Sequence, residues 1–258
     1  MTVAQALLGF LSRQYVERDG VEHQFFAGIL GIFGHGNVAG IGQALQEQVS
    51  EHSQDALRFV PARNEQAMVH MASAYAKQKN RLSTWACTTS IGPGATNLVT
   101  GAATATINRI PVLLLPGDTF ATRRVDPALQ QLEQPYARDL TVNDCLRPVS
   151  RYFDRIERPE QLFSAALEAM RVLTDPVETG AVTIAIPEDV QAEIIEVPEE
   201  FLSDREWHIR RPRPDKGLMD LVSKKIKSAK KPIIIAGGGV IYSDAHDSLK
   251  KLVEATGI

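Results

Sequence analysis

Cysteine is scarce in this sequence: 258 residues contain two, Cys87 and Cys145. Neither has a second thiol or a histidine at metal-ligand spacing, so a zinc finger or a disulfide framework is excluded. Both are expected as reduced thiols in apolar surroundings, which fits a reducing compartment. Excess positive charge is also missing. The 28 Lys and Arg against 31 Asp and Glu give a net charge of −3, without the basic footprint of a nucleic-acid binder. Residues 1–15 lack a basic leader, and their apolar run is too short for a signal peptide or a membrane span. A cytoplasmic protein with no nucleic-acid or membrane partner is expected. The other histidines, His23, His52, His70, His208 and His246, are scattered around His35, and no metal site is expected. No G-x-x-x-x-G-K-S/T occurs, and Ser90 lies in no G-x-S-x-G elbow, which argues against a P-loop and a hydrolase triad. No internal repeat or low-complexity tract is present.

What is present is ordinary globular material, 44% hydrophobic and 23% charged. Val3, Leu7, Phe10 and Leu11 mark an amphipathic first helix. Residues 24–33 form an apolar strand that feeds Gly34-His35-Gly36-Asn37, and residues 40–49 resume a helical pattern. A short strand at 57–60 leads to a helix within 61–77. The strand at 82–88 ends in a second glycine loop, Thr88 to Asn97, with a helix to about residue 108. The dense strand at 111–115 is stopped by Pro116-Gly117-Asp118. Residues 120–143 read as a loop plus a broken helix. A strand at 149–153, a helix at 159–174 and a strand at 181–186 follow. Dense apolar strands alternating with helices predict an α/β fold with a parallel sheet, assigned to a domain of residues 1–196. Residues 197–215, rich in proline and charge, read as a linker. The last part, 216–258, offers a helix at 216–228, a strand at 232–236, a turn at Gly237–Gly239 and a helix at 243–256. That is too little to bury a core, so it reads as the truncated start of a second α/β domain in a longer protein.

Glu65 opens the helix that follows residue 61. Ala67, Met68, Met71, Ala72, Tyr75 and Ala76 leave that helix almost no polar face, which predicts a buried body. A carboxylate at its mouth is expected to be desolvated, with its pKa pushed up, and suited to handling a proton. The plainer alternative stays open: a glutamate in a first helical turn complements the helix dipole, and Arg63 is close enough in sequence to pair with it. The glycine loops also have two readings, as tight turns or as ligand cradles at the carboxyl ends of parallel strands. Polar neighbours (His35, Asn37, Ser90 and Asn97) favour a ligand for the first two loops. Gly237–Gly239 reads as a turn only. The first loop, G-H-G-N-V-A-G, is not G-x-G-x-x-G, and Pro61 stands where a nicotinamide-binding domain carries an acid.

Together these pieces resemble the N-terminal pyrimidine-binding domain of thiamine-diphosphate enzymes of the acetohydroxyacid synthase and pyruvate oxidase type. The resemblance rests on F-G-H-G-N at 33–37, R-N-E-Q-A-M-V-H-M-A-S-A-Y-A at 63–76, T-S-I-G-P-G-A-T-N-L-V-T-G at 89–101 and P-V-L-L-L-P-G at 111–117. K-P-I-I-I-A-G-G-G-V-I-Y at 231–242 is similar to the entry into the family's central domain. The resemblance implies that Glu65 is catalytic, sharing a proton with N1′ of the cofactor's aminopyrimidine while the thiazolium serves as electron sink for C–C cleavage. It implies that Ser90, Gly92, Pro93, Gly94 and Asn97 line the pyrimidine pocket, and that His35 and Asn37 face the substrate. His35 stands where most relatives have proline, and Ile91 interrupts the usual T-S-G-P-G. With Q-Q-L-E-Q-P-Y at 130–136, these departures resemble the branch that hydrolyses a cyclic polyol 1,2-dione. A lyase or decarboxylase of 2-oxo acids, or a non-catalytic module on the same fold, are the alternatives. The implied cofactors are thiamine diphosphate and Mg²⁺. The family holds the diphosphate and metal on a C-terminal domain through G-D-G…N, which is absent here; G-D-T at 117–119 lacks the second glycine and the asparagine. The cofactor bridges two subunits in such enzymes, which implies a homodimer or homotetramer. It also implies that this chain alone carries half a site and has no activity.

Overall fold

The structure is a computed structural model and describes residues 1–51, 56–122, 129–137 and 139–258. The chain divides into two units, Met1–Ile209 and Arg210–Ile258.

The first unit is built on a six-stranded sheet in the order β4-β3-β5-β6-β8-β7. Its strands are β3 (Phe26–Ile32), β4 (Phe59–Pro61), β5 (Thr84–Thr89), β6 (Val112–Asp118), β7 (Tyr152–Arg155) and β8 (Ala181–Pro187). Every pairing in it is parallel. All residues of β6 and β8 are buried, because helices cover both faces of a parallel sheet. The α/β expectation therefore holds. The strand expected to stop at Pro116 instead runs to Asp118, since Pro116 and Gly117 still fit beside β5 and β8.

The helices α1 (Val3–Leu11), α2 (Gln43–Glu51), α3 (Glu65–Gln78), α4 (Pro93–Thr96), α5 (Val99–Ile107), α6 (Gln161–Leu173) and α7 (Glu188–Ala192) complete this unit. Thr2 caps α1 by accepting from Gln5 N–H, and the Gln5 side chain returns the bond to Thr2 N–H. The helix α3 is not buried all round, as its composition suggested. Met68, Val69, Ala72, Ser73 and Ala76 are buried, whereas Ala67, Met71 and Ala74 are exposed. The buried side fits tightly against α5: a Cβ on Gly101 would lie 2.6 Å from the Val69 Cβ. Of the broken helix read over 120–143, residues 123–128 and 138 lie outside the described residues. A 3-10 helix, Val142–Val149, follows.

A second, three-stranded sheet joins β1 (Gln14–Arg18), β2 (Val21–Gln24) and β9 (Arg205–His208) in the order β2-β1-β9. Its hairpin turns on Asp19 and Gly20, with φ of 57° and 82°, the left-handed pair that a two-residue hairpin favours. An Asp-Gly pair between two short segments is the sequence signal of such a hairpin. The expected linker is likewise structured in its first part. Phe201 stacks on Phe10 with ring centroids 4.6 Å apart. Trp207 Nε1 donates to Gln14 Oε1 at 3.0 Å. Only alternate residues of β9 turn inward, so a segment charged on one side still completes a sheet.

In the second unit, α8 (Lys216–Ser228), α9 (Gly238–Tyr242) and α10 (His246–Thr256) form as helices. The strand expected at 232–236 does not. Among the described residues no strand pairs with it, and Ile233 and Ile235 are 85% and 91% exposed. A strand needs a ladder partner for its backbone groups, whatever its propensity.

Candidate active site

Adjacent strands β3 and β5 send their outgoing connections in opposite directions, β3 towards β4 and β5 towards β6. A crevice opens at the carboxyl ends of such a pair. Here it is a cleft of about 570 Å³, floored by Ile32 at the end of β3, by Phe33 and Gly34 just after it, and by Ser90 after β5. Glu65, Pro93, Gly94 and Asn97 form another part of the wall, and Thr96 and Gln130 complete it. Neither Thr96 nor Gln130 was singled out from sequence, because nothing in their local pattern marks them as neighbours of Glu65.

Asn64 caps α3 by accepting from Ala67 N–H at 2.9 Å, which places Glu65 in the first turn, at the cleft. Glu65 is half-buried, not sealed in apolar surroundings. Its Oε2 accepts from Asn97 Nδ2 at 2.7 Å. Among the described residues Arg63 forms no ion pair with it, and no side chain or backbone group bonds Oε1. Oε1 instead faces Gly94, where a Cβ would lie 3.3 Å from it and 2.7 Å from Thr89 Oγ1. That hydroxyl is buried and has no hydrogen-bond partner among the described residues.

The two glycine loops lock together. Ser90 Oγ accepts from Gly36 N–H at 3.3 Å, and a Cβ on Gly34 would lie 2.5 Å from that oxygen. Gly92 has φ +62°, and a Cβ there would fall 1.9 Å from the Gln130 carbonyl oxygen. Only glycine fits such a position. Gly36 also lies under Gly117: a Cβ on Gly117 would come within 2.4 Å of Gly36 O. Gln191 binds the same loop, donating to Gly36 O at 2.8 Å and accepting from Ile41 N–H at 3.3 Å.

Neither of the two residues expected to face a substrate is among the residues that line the cleft. Asn37 is 1% exposed. Its Oδ1 accepts from Gly34 N–H at 3.0 Å, and its Nδ2 donates to Ile32 O at 3.2 Å and Thr88 Oγ1 at 3.1 Å. It braces the loop and does not face the cleft, because an amide this buried is fully spent on internal partners. His35 is only partly buried, and its Nδ1 lies 3.3 Å from Glu188 Oε2.

Asp118, the last residue of β6, forms a buried ion pair. Its Oδ2 meets Arg155 Nε at 2.9 Å, and its Oδ1 accepts from Thr119 N–H at 2.7 Å. Burial pushes this carboxyl up, against the pull of Arg155. Burial also raises Cys87, which is free and sealed in the core, as expected. Glu17, Glu206 and His208 bring three ligand-type atoms within 4.8 Å of one another on β1 and β9. None of the three lines the cleft. Among the described residues, no helix is long and apolar enough to cross a membrane.

The parallel sheet, with an acid at the start of one helix and a glycine loop opposite it, forms an α/β domain with a ligand-sized cleft at the carboxyl ends of its strands. Residues 23–137 match the N-terminal TPP-binding domain of thiamine pyrophosphate enzymes, and residues 219–258 match the central domain of the same enzymes. The chain belongs to the thiamine pyrophosphate enzymes. It is 56% identical over 254 residues to the 3D-(3,5/4)-trihydroxycyclohexane-1,2-dione hydrolase of Clostridium tetani (strain Massachusetts / E88), covering 98% of this chain and 39% of that protein. Proteins of the same name are 56% identical over 251 residues in Clostridium botulinum (strain Alaska E43 / Type E3) and 52% identical over 254 residues in Bacillus thuringiensis (strain Al Hakam). These matches cover 97% and 98% of this chain and 38% and 39% of the respective relatives. The chain thus spans about 39% of the length of the curated relatives it matches.

Proposed function

We propose that the whole protein to which this chain contributes is a thiamine-diphosphate-dependent hydrolase that opens 3D-(3,5/4)-trihydroxycyclohexane-1,2-dione at a ring C–C bond. The product would be 5-deoxy-glucuronate, a step of myo-inositol catabolism. The observation that carries this reading is Glu65, held by Asn97 at the cleft mouth with its second oxygen unbonded among the described residues, in a chain 56% identical to relatives bearing that name.

The cleft suits the aminopyrimidine of the cofactor. Such a ring is flat and carries nitrogens along its edge. It needs a carboxylate, further polar partners and a wall without side chains. Glu65 supplies the first, the unpartnered Thr89 hydroxyl is a candidate for the second, and Gly94 supplies the third. When bound, thiamine diphosphate contributes a nucleophilic carbon and an electron sink for C–C cleavage. Glu65 holds and passes a proton at Oε1, while Asn97 fixes the carboxylate through Oε2. Gly92 and Ser90 set the loop facing it, and Pro93 and Phe33, which line the cleft, offer the ring an apolar side. His35 meets the substrate, with Asn37 bracing the loop beneath it. The diphosphate and its Mg²⁺ would be held by other parts of the whole protein, which would be a cytoplasmic homodimer or homotetramer.

Product analysis tests the reading. The whole protein, given the cyclic dione or pyruvate, is expected to open the ring and leave pyruvate untouched; acetohydroxyacid or decarboxylation products would refute it. The 258-residue chain alone is expected to bind thiamine diphosphate weakly or not at all by calorimetry, and tight Mg²⁺-dependent binding would contradict the shared site.

A further inference from the structure

His35 Nδ1 lies 3.3 Å from Glu188 Oε2, and His35 Nε2 is buried without a hydrogen-bond partner among the described residues. The two residues come from different elements: the loop after β3 and the first turn of α7, which follows β8. They lie 153 positions apart in sequence, so the pairing belongs to the tertiary fold. A carboxylate can only accept, so Nδ1 must carry the hydrogen. In the neutral imidazole the lone pair then falls on Nε2. A buried polar nitrogen with no partner is rare in a folded protein and calls for a specific role, such as a catalytic or ligand contact. Gly34, next to His35, is part of the cleft wall. The backbone on both sides of His35 is fixed, by Asn37 and Ser90 at Gly34 and Gly36 and by Gln191 at Gly36 O.

We propose that Glu188 is a positioning residue: it fixes His35 in the Nδ1–H tautomer, so that Nε2 accepts a hydrogen bond from a ring hydroxyl of the substrate. This rests on the dione-hydrolase reading and deepens it. The site then selects a hydroxylated dione over a bare one, because a substrate without that hydroxyl leaves Nε2 unpaired.

Two measurements on the whole protein test it. In protein labelled with ¹⁵N-histidine, the His35 signals are identified by their loss in His35→Gln. Wild type is expected to show a protonated Nδ1 and a bare Nε2. Glu188→Ala is expected to lose that preference, and Glu188→Gln, whose amide oxygen still accepts, to restore it. The second measurement compares the trihydroxy dione with cyclohexane-1,2-dione. Glu188→Ala is expected to lower kcat/KM for the trihydroxy compound by about tenfold to a hundredfold, chiefly through KM, while the bare dione changes little. Glu188→Gln should stay near wild type, and it keeps the test decisive if the alanine variant fails to fold. A bare Nδ1, a doubly protonated ring, or unchanged discrimination in Glu188→Ala would overturn the proposal while leaving ring opening by wild type intact. Absence of ring opening by wild type would instead remove the parent reading, and the hydroxyl assignment with it.

Discussion

Asn97 Nδ2 donates to Glu65 Oε2 at 2.7 Å, tying the end of α4 to the first turn of α3. The bond spans two strand-to-helix loops, and it leaves Oε1 as the oxygen available to a ligand. Most of what the cleft can do follows from this division of one carboxylate into a held oxygen and an open one.

Glu65→Gln in the whole protein keeps an oxygen for Asn97 and removes the ability to carry a proton. Ring opening should fall by about 10²–10⁴-fold, with the circular dichroism spectrum and melting temperature nearly unchanged. Activity at the wild-type level would favour the non-catalytic module.

Asn97→Ala leaves Oε2 without its donor and frees the carboxylate to swing. Thiamine diphosphate affinity, followed by calorimetry on the whole protein, should weaken by about tenfold for the loss of one charge-assisted bond. Asn97→Asp should weaken it further, since two carboxylates in contact disfavour the charged form of both.

Two glycine substitutions separate folding from binding. Gly92→Ala forces an L residue to φ +62° with its Cβ on the Gln130 carbonyl, and the urea midpoint should drop by the equivalent of at least about 1–2 kcal/mol. Gly94→Ala meets side-chain atoms of Thr89 and Glu65, which can shift. It should therefore unfold close to wild type and yet bind the cofactor poorly. Equal loss of stability in both would contradict this assignment.

Asp189 offers a pH test. Burial pushes its carboxyl up, but the Thr122 hydroxyl and the N–H groups of Ala121, Thr122 and Val190 outweigh burial and hold it below the usual range. A carboxyl lowered on folding adds stability above its unfolded pKa and loses it as pH falls through the folded value. Asp189→Ala should cost about 2 kcal/mol near neutrality. The gap from wild type should close below about pH 4, as measured by denaturant melts across pH.

Local chemistry was legible in the chain itself. The two-sided burial of β6 and β8 shows as largely apolar runs, and Glu65 shows as an acid entering a helix of small residues. The glycine loops show as turns because Gly92 accepts a backbone angle other residues resist. The Asp19-Gly20 hairpin and the alternating inward residues of β9 were there to be read as well, but their charges masked them. What the tertiary fold decided was which of these side chains meet. Asn37, polar and beside a glycine, looked like a ligand-facing group until the packing of β3 against β5 turned its amide inward to Thr88. Asn97 rather than Arg63 partners Glu65 because the loop after β5 comes to rest beside the start of α3, and Glu188 reaches His35 only because β8 ends on the same edge of the sheet. Propensity and pattern are properties of neighbours in sequence, whereas a hydrogen bond between residues 153 positions apart depends on strand order, which many local patterns permit and one packed core selects.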